Sequence, residues 1–311
     1  MREMKKRIYI VFLAVFISYP AWAVMPFYTG ARAEGMGEAF TSISDESSGL
    51  FYNPAGLSDM EKKEVSALCW KDYFGTGYSN LSLGMPAGKW GGLAAGWSRT
   101  SNTFEKTDAW GNTAGNADIS SDVFMLGAGY YKGLPLSLGF TAKFITEKID
   151  TYSASGWALD AGALIDAKPL RIGVTLQNAV SGGLNGTSLA GGSVSEKIPS
   201  TLRVGLSMTN NKTCGMDFCP PGSADKAEKL KLEYTFAADL AVPTDDLGSY
   251  ALSPGAELWF NDTIAVRAGY RELRDYTCGL SVKLSFFRLD YAFIISKELE
   301  NSNIFSLSMF F

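Results

Sequence analysis

Histidine is absent from this 311-residue chain. That removes the commonest general base and the commonest metal ligand together, and it makes a Ser-His nucleophile impossible. No Ser-Lys motif stands in for it, so the expectation is a non-enzymatic protein with no cofactor and no metal site. A strong excess of one charge is also missing. The net charge is −4, which gives no electrostatic case for a nucleic-acid partner. Long apolar runs are lacking too. After residue 23 no stretch approaches the roughly 20 apolar residues that a spanning helix requires. Such a chain either stays in water or crosses lipid as a closed set of strands, because lipid tolerates no unpaired backbone. Cysteine is scarce, with four in all. Cys69 and Cys278 lie in strand-like segments and read as small apolar residues. Cys214 and Cys219 lie close together in the run Thr213-Cys-Gly-Met-Asp-Phe-Cys-Pro-Pro221. In an oxidising compartment these two are expected to form a local disulfide. The missing histidines, and the lack of a second cysteine pair, argue against a metal there.

Both ends of the chain carry information. Arg2, Lys5, Lys6 and Arg7 precede an apolar run from Ile8 to Ile17 and then Ala21-Trp22-Ala23. That order is a secretory signal peptide, residues 1–23, with an A-x-A cleavage site. At the other end Phe305, Leu307, Met309 and Phe311 are apolar at every second position, with small polar residues such as Ser306 and Ser308 between them. Period-two alternation running to a terminal aromatic is what the last, lipid-facing strand of an outer-membrane barrel needs.

Alternation recurs along the chain. Leu136, Leu138, Phe140, Ala142 and Phe144 are interleaved with Ser137, Gly139, Thr141 and Lys143. Ile264, Val266, Ala268 and Tyr270 oppose Arg267 and Arg271. Fourteen such segments are expected, near 64–71, 76–86, 90–100, 121–131, 135–147, 155–166, 169–178, 200–209, 230–242, 251–260, 263–271, 275–285, 287–296 and 302–311. Runs of about 9–11 residues match a tilted strand across the hydrocarbon core, whereas strands of soluble domains average about 5–6. The fold class is therefore all-β: a transmembrane antiparallel β-barrel of about 14 strands. Connections 101–120 and 179–199 read as long outer loops; 87–89, 132–134, 167–168 and 261–262 read as short periplasmic turns. An even strand count puts both termini in the periplasm. Residues 210–229 depart from this rule. They read either as a disulfide-stapled periplasmic excursion or as a disordered insertion. Aromatics near strand ends, including Trp70, Tyr73, Phe74, Trp90, Tyr130, Tyr131, Trp259 and Phe260, read as interfacial girdles.

Residues 24–63 do not alternate. Asn53 is placed to cap a short helical turn, Pro54 suits the first helical position, Gly56 would end it, and Asp45 offers a similar cap. The expectation is a kinked segment inside the lumen, because side chains alone cannot fill so wide a barrel. The run Gly30-Ala-Arg-Ala-Glu-Gly-Met-Gly-Glu-Ala-Phe40, the Asp45-Glu46 step and Asn53-Pro-Ala-Gly56 resemble the hatch of the FadL superfamily of outer-membrane proteins. Pro199–Leu206, Gly255–Phe260, Ala265–Arg271, Leu289–Phe293 and Phe305–Phe311 resemble the PorV/PorQ branch. The resemblance implies a hatch over 24–63 inside a barrel over 64–311. It implies a location in the bacterial outer membrane, reached by the cleaved signal peptide and bathed in outer-membrane lipid. It also implies one of two roles. The first expectation is transport or protein export, with loops 101–120 and 179–199 docking exported proteins or secretion components. The alternative is passive transport of hydrophobic small molecules through a hatch-gated barrel.

Two groups of residues are candidates for that work. Asp45, Asn53, Pro54, Ala55 and Gly56 either form an element whose movement opens a path or only pack the plug. Arg267, Arg271, Lys283, Arg288 and Asp290 fall on the polar face of successive strands. The cations among them either bind an anionic group or pair with Glu257, Asp290, Glu233 and Asp239 in a lumen that clamps the hatch.

Overall fold

The computed structural model describes residues 30–311, apart from 73, 108–109, 111, 132–134, 188–192, 215–229 and 298–299. Fourteen long strands form one closed antiparallel sheet. They are β1 (Glu64–Lys71), β2 (Gly77–Pro86), β3 (Gly92–Thr107), β4 (Thr113–Tyr131), β5 (Leu136–Ile149), β6 (Tyr152–Ala167), β7 (Leu170–Ser181), β10 (Thr201–Cys214), β11 (Leu230–Pro243), β12 (Ala251–Phe260), β13 (Ile264–Arg271), β14 (Asp275–Leu284), β15 (Phe287–Ile295) and β16 (Ser302–Phe310). Two short strands, β8 (Leu184–Thr187) and β9 (Ser193–Glu196), make a hairpin that hangs on the edge of β6.

Closure comes from β1 pairing with β16, with Glu64 opposite Phe310 and Leu68 opposite Ser306. The C-terminus is tied into this seam: Phe310 N donates to Phe286 O (2.7 Å) and Phe311 N to Lys63 O (2.9 Å). A closed sheet leaves no edge to be satisfied by water, which is the condition for crossing lipid.

The pleat sorts the side chains. On β5 Leu136, Leu138 and Phe140 point out and are exposed, while Ser137, Gly139 and Thr141 point in and are buried. Leu126 on β4 and Phe140 are 68% and 64% exposed. Across the barrel Leu289, Phe305 and Leu307 are likewise exposed. Large apolar side chains repeated around the whole outer surface are a penalty in water and a match to hydrocarbon. Cys69 and Cys278 lie free on this outer face.

Three expected connections change. Residues 101–120 are mostly strand. β3 runs on to Thr107 and β4 starts at Thr113, joined by cross-strand pairs such as Thr103 Oγ1 donating to Asp118 Oδ1 (2.8 Å). Above the lipid a ladder needs no apolar alternation, so the period-two signal fades while the pairing continues. Within 179–199 lie the end of β7 and the β8–β9 hairpin. β10 continues to Cys214 and β11 begins at Leu230, which narrows the expected insertion at 210–229 to residues 215–229. Those residues, the Cys214–Cys219 pairing and the 1–23 signal peptide lie outside the described residues.

Phe140→Arg is expected to cost about 2–4 kcal/mol of folding free energy in a bilayer, as a cation on a lipid-facing site should. Urea titration of the protein folded into phospholipid vesicles measures it. No change on substitution would place Phe140 away from lipid.

Candidate functional site

Residues 30–60 run inside the barrel as a plug, and almost all of them are buried. The plug opens with helix α1 (Ala31–Gly35). Gly37 and Glu38 both take left-handed φ (65° and 67°), and Glu38 N closes onto Ala33 O (2.9 Å). This ends the helix and turns the chain, as glycine just past a helix allows. After a second short helix, α2 (Gly49–Tyr52), a 3₁₀ helix covers Pro54–Asp59. Asn53 caps it: Oδ1 accepts from Ala55 N (3.1 Å), and Pro54 takes the first position. The same side chain donates through Nδ2 to Thr41 O (2.9 Å) and to Ala163 O of β6 (3.1 Å). One amide thus ties the two halves of the plug to each other and to the wall.

Two expected local roles are corrected. Gly56 does not end the helix but lies within it, and a side chain there would collide with the Ser44 carbonyl. Asp45 caps nothing; it is partly exposed and accepts from Arg32 Nη1 (2.6 Å).

The wall is shaped to the plug. A side chain at Gly139 of β5 would run into the Pro54–Ala55 backbone, and one at Gly162 of β6 into Asn53. Gly255 on β12 does the same for Met36 on the opposite side. Here glycine is required for close backbone approach.

Charge then fixes the plug's orientation. Arg32 of α1 is bidentate to Glu257 of β12 (Nη2–Oε1 2.9 Å, Nε–Oε2 3.0 Å) and also reaches Glu46 (3.0 Å). Glu257 is shared with Arg267 of β13 (2.5 Å). Arg267 stands 3.5 Å from Asp290 and donates to Ser281, which donates to Asp290. Arg288 completes the circuit to Asp290 and Glu46, at 2.7 Å each. All but Asp45 are buried. Sharing each carboxylate between guanidinium groups offsets the desolvation of burying them. Burial alone would raise the Glu46 carboxyl, but Arg288 and Arg32 outweigh it and lower it to about 2.

The structure thus brings Arg267, Arg288 and Asp290 together and leaves two predicted lumen charges outside. Arg271 pairs with Asp275 (2.8 Å) and lies 3.5 Å from Glu34. Lys283 sits over the Phe310 ring. Of the expected partners, Asp239 instead accepts Phe40 N (3.0 Å) and Thr41 N (2.7 Å), while Glu233 faces Trp259 across the ladder. Arg32 was not singled out from sequence. Its signal is that of a lone cation in a run of small residues, followed closely by the acidic Asp45-Glu46 step.

The girdle is corrected at two tryptophans. Trp70 is buried in the lumen, stacked on Tyr78 (4.8 Å between centroids) and clustered with Leu68, Ile294 and Ile304 against Ala31. Trp259 lies beneath the Arg267 guanidinium. Phe74, Trp90 and Tyr130 do face outward.

Solved structures share this fold. The toluene transporter TodX of P. putida superposes with a TM-score of 0.59, covering 91% of this chain and 98% of its own at 12% identity. CymD, a monoaromatic hydrocarbon channel, gives 0.57 at 15% identity, covering 92% and 99%. The toluene transporter TbuX of Ralstonia pickettii gives 0.57 at 13%, covering 91% and 98%. The fold is the β-barrel that these three structures share. At these identities the likeness is one of fold, and none of the three points to the PorV/PorQ branch. No family model and no curated protein matches the chain in sequence.

Glu46 gives a pH test. Its lowered carboxyl contributes to plug seating in full above the ordinary glutamate range, and that contribution is lost as pH falls toward about 2. In Glu46→Gln this acid-side loss is expected to vanish, along with part of the seating strength at neutral pH. Protease cleavage of the plug in detergent, followed against pH, measures both. An acid limb unchanged in Glu46→Gln would contradict the assignment.

Proposed function

We propose that this chain is a non-enzymatic, plug-gated channel of the bacterial outer membrane that lets small hydrophobic molecules pass. The architecture it shares, nearly end to end, with two toluene transporters and a monoaromatic hydrocarbon channel carries the reading. The site adds physical support. Leu68, Trp70, Tyr78, Ile294 and Ile304 make an apolar wall patch of the lumen, separate from the larger cluster in which Val123, Met125 and Ile145 pack on the plug. It lies on the far-end halves of β1, β2, β15 and β16. An aromatic stack beside aliphatic side chains is a surface on which an apolar solute loses little on leaving lipid or water. Transit past it requires the plug to yield. The Asn53-Pro54-Ala55 turn suits that role, since it meets the wall chiefly through close backbone packing and one amide.

Docking of exported proteins was the other role implied by the resemblance. It leaned on flexible outer loops at 101–120 and 179–199, and these are largely strand extension and hairpin. Uptake is therefore the reading adopted.

The plug can be locked. Ser47 Oγ and Ser82 Oγ of β2 lie 2.7 Å apart, so cysteines there are within disulfide reach. Cells making Ser47→Cys/Ser82→Cys protein should take up radiolabelled toluene slowly when oxidised and at the wild-type rate after reduction. Equal uptake with and without the protein would end the transport reading. Equal uptake in the oxidised and reduced forms would end the gating.

A further inference from the structure

The two ends of the plug's charge system are built differently. Glu46 is satisfied on every side, by Arg288 (2.7 Å), Arg32 (3.0 Å) and Ser48 Oγ (2.7 Å). Glu34 in α1 is fully buried, yet neither of its oxygens receives a hydrogen bond. Its nearest cation is Arg271 Nη1 at 3.5 Å, and Arg271 is engaged more closely by Asp275. The other charged groups around Glu34 are of both signs. On the plug itself stands Glu38, with Arg203 of β10 at 3.7 Å; from the turn after β13 comes Glu272. From β14, Thr277 donates to the Gly35 carbonyl rather than to Glu34 (3.2 Å). Glu38 and Glu272 around Glu34 thus face Arg203 and Arg271, with Arg274 beside Glu272 and Lys297 beside Asp275, so what sets Glu34 apart is its bare oxygens and not the net charge.

Space limits what could satisfy this carboxylate. A Cβ on Gly35 would lie 3.1 Å from Gly279 Cα, and one on Gly37 2.8 Å from Tyr270 N. Plug and wall backbones are thus in contact on the C-terminal side of Glu34, and the carboxylate itself is fully buried. A proton fits.

We propose that Glu34 is a proton-binding site that couples seating of the plug to pH: protonated it stays docked, and ionised it drives the plug from the wall. A buried carboxylate without hydrogen bonds is unfavourable, whereas its neutral form is not. Burial, reinforced by the Glu38 charge, pushes the Glu34 carboxyl well above the usual range. The seated plug therefore holds this proton more tightly than a released plug does. Glu34's contribution to seating is complete below the released group's titration and is lost as pH rises from there through the docked group's, by up to about tenfold per pH unit. Together with the acid loss at Glu46, seating is strongest between the two titrations.

The inference rests on a plug that can move, as in the proposed function, but its test needs no hydrophobic substrate. The purified full chain is inserted in planar bilayers and ion conductance is recorded from about pH 5 to about pH 9. Wild-type conductance should rise severalfold toward alkaline pH. Glu34→Gln, which cannot ionise, should stay at the low level throughout, and Glu34→Asp should keep a rise displaced along the pH axis. Heat-modifiable migration on gels shows that each variant is folded. Oxidised Ser47→Cys/Ser82→Cys should abolish the rise. A flat wild-type profile, a wild-type rise in Glu34→Gln, or a rise that survives the disulfide lock would each overturn the proposal. Failure of toluene uptake alongside the expected conductance profile would overturn the transport reading and leave this one standing.

Discussion

A guanidinium buried among carboxylates decides where the N-terminal segment lies. Arg32 cannot leave Glu257, Glu46 and Asp45 without stranding charge inside the barrel. Its partner Glu257 is in turn held by Arg267, and Glu46 by Arg288. Removing one member of such a lattice exposes the rest to an uncompensated desolvation cost. The plug is thereby specified on the β12–β16 side by charge together with glycine contacts such as Gly255 on Met36, and on the β3–β6 side by shape.

That division explains the wall. Opposite the charged half, strands present arginine and carboxylate. Opposite the Asn53–Asp59 turn they present glycine, so that the Pro54–Ala55 backbone lies directly against β5 and β6. The outer face answers only to lipid and repeats Leu, Phe and Val with little specificity. One sheet therefore satisfies two solvents, a hydrocarbon outside and a folded polypeptide inside, because its pleat assigns alternate residues to each. Apolar residues do face inward in two places, Val123, Met125 and Ile145 against the plug and Leu68, Trp70, Ile294 and Ile304 around Ala31.

The barrel was legible in the sequence because period two is a local signal. All fourteen expected segments are strands, and Asn53 caps the turn that it was expected to cap. What lay outside the lipid was less legible. The continuation of β3 and β4 past residue 100 carries polar residues on both faces, and no alternation marks it. Long-range partners were hidden for another reason. Arg32 meets Glu257 across 225 residues of chain, and only the closed sheet brings them together. Trp70 and Trp259 stand near strand ends like girdle residues, but their register parity turns them inward. Gly56 reads as a helix terminator, although its function is contact with the Ser44 carbonyl.

The dependence of the plug on the Arg32–Glu257 pair is open to direct measurement. A double-mutant cycle of Arg32→Met, Glu257→Gln and the two combined would be read from the urea midpoint at which the plug becomes protease-sensitive in a barrel that stays folded. The account predicts a coupling of about 1–3 kcal/mol, the double variant being far less damaged than the sum of the singles. Additive losses, or single variants whose plug is released at the wild-type midpoint, would contradict it.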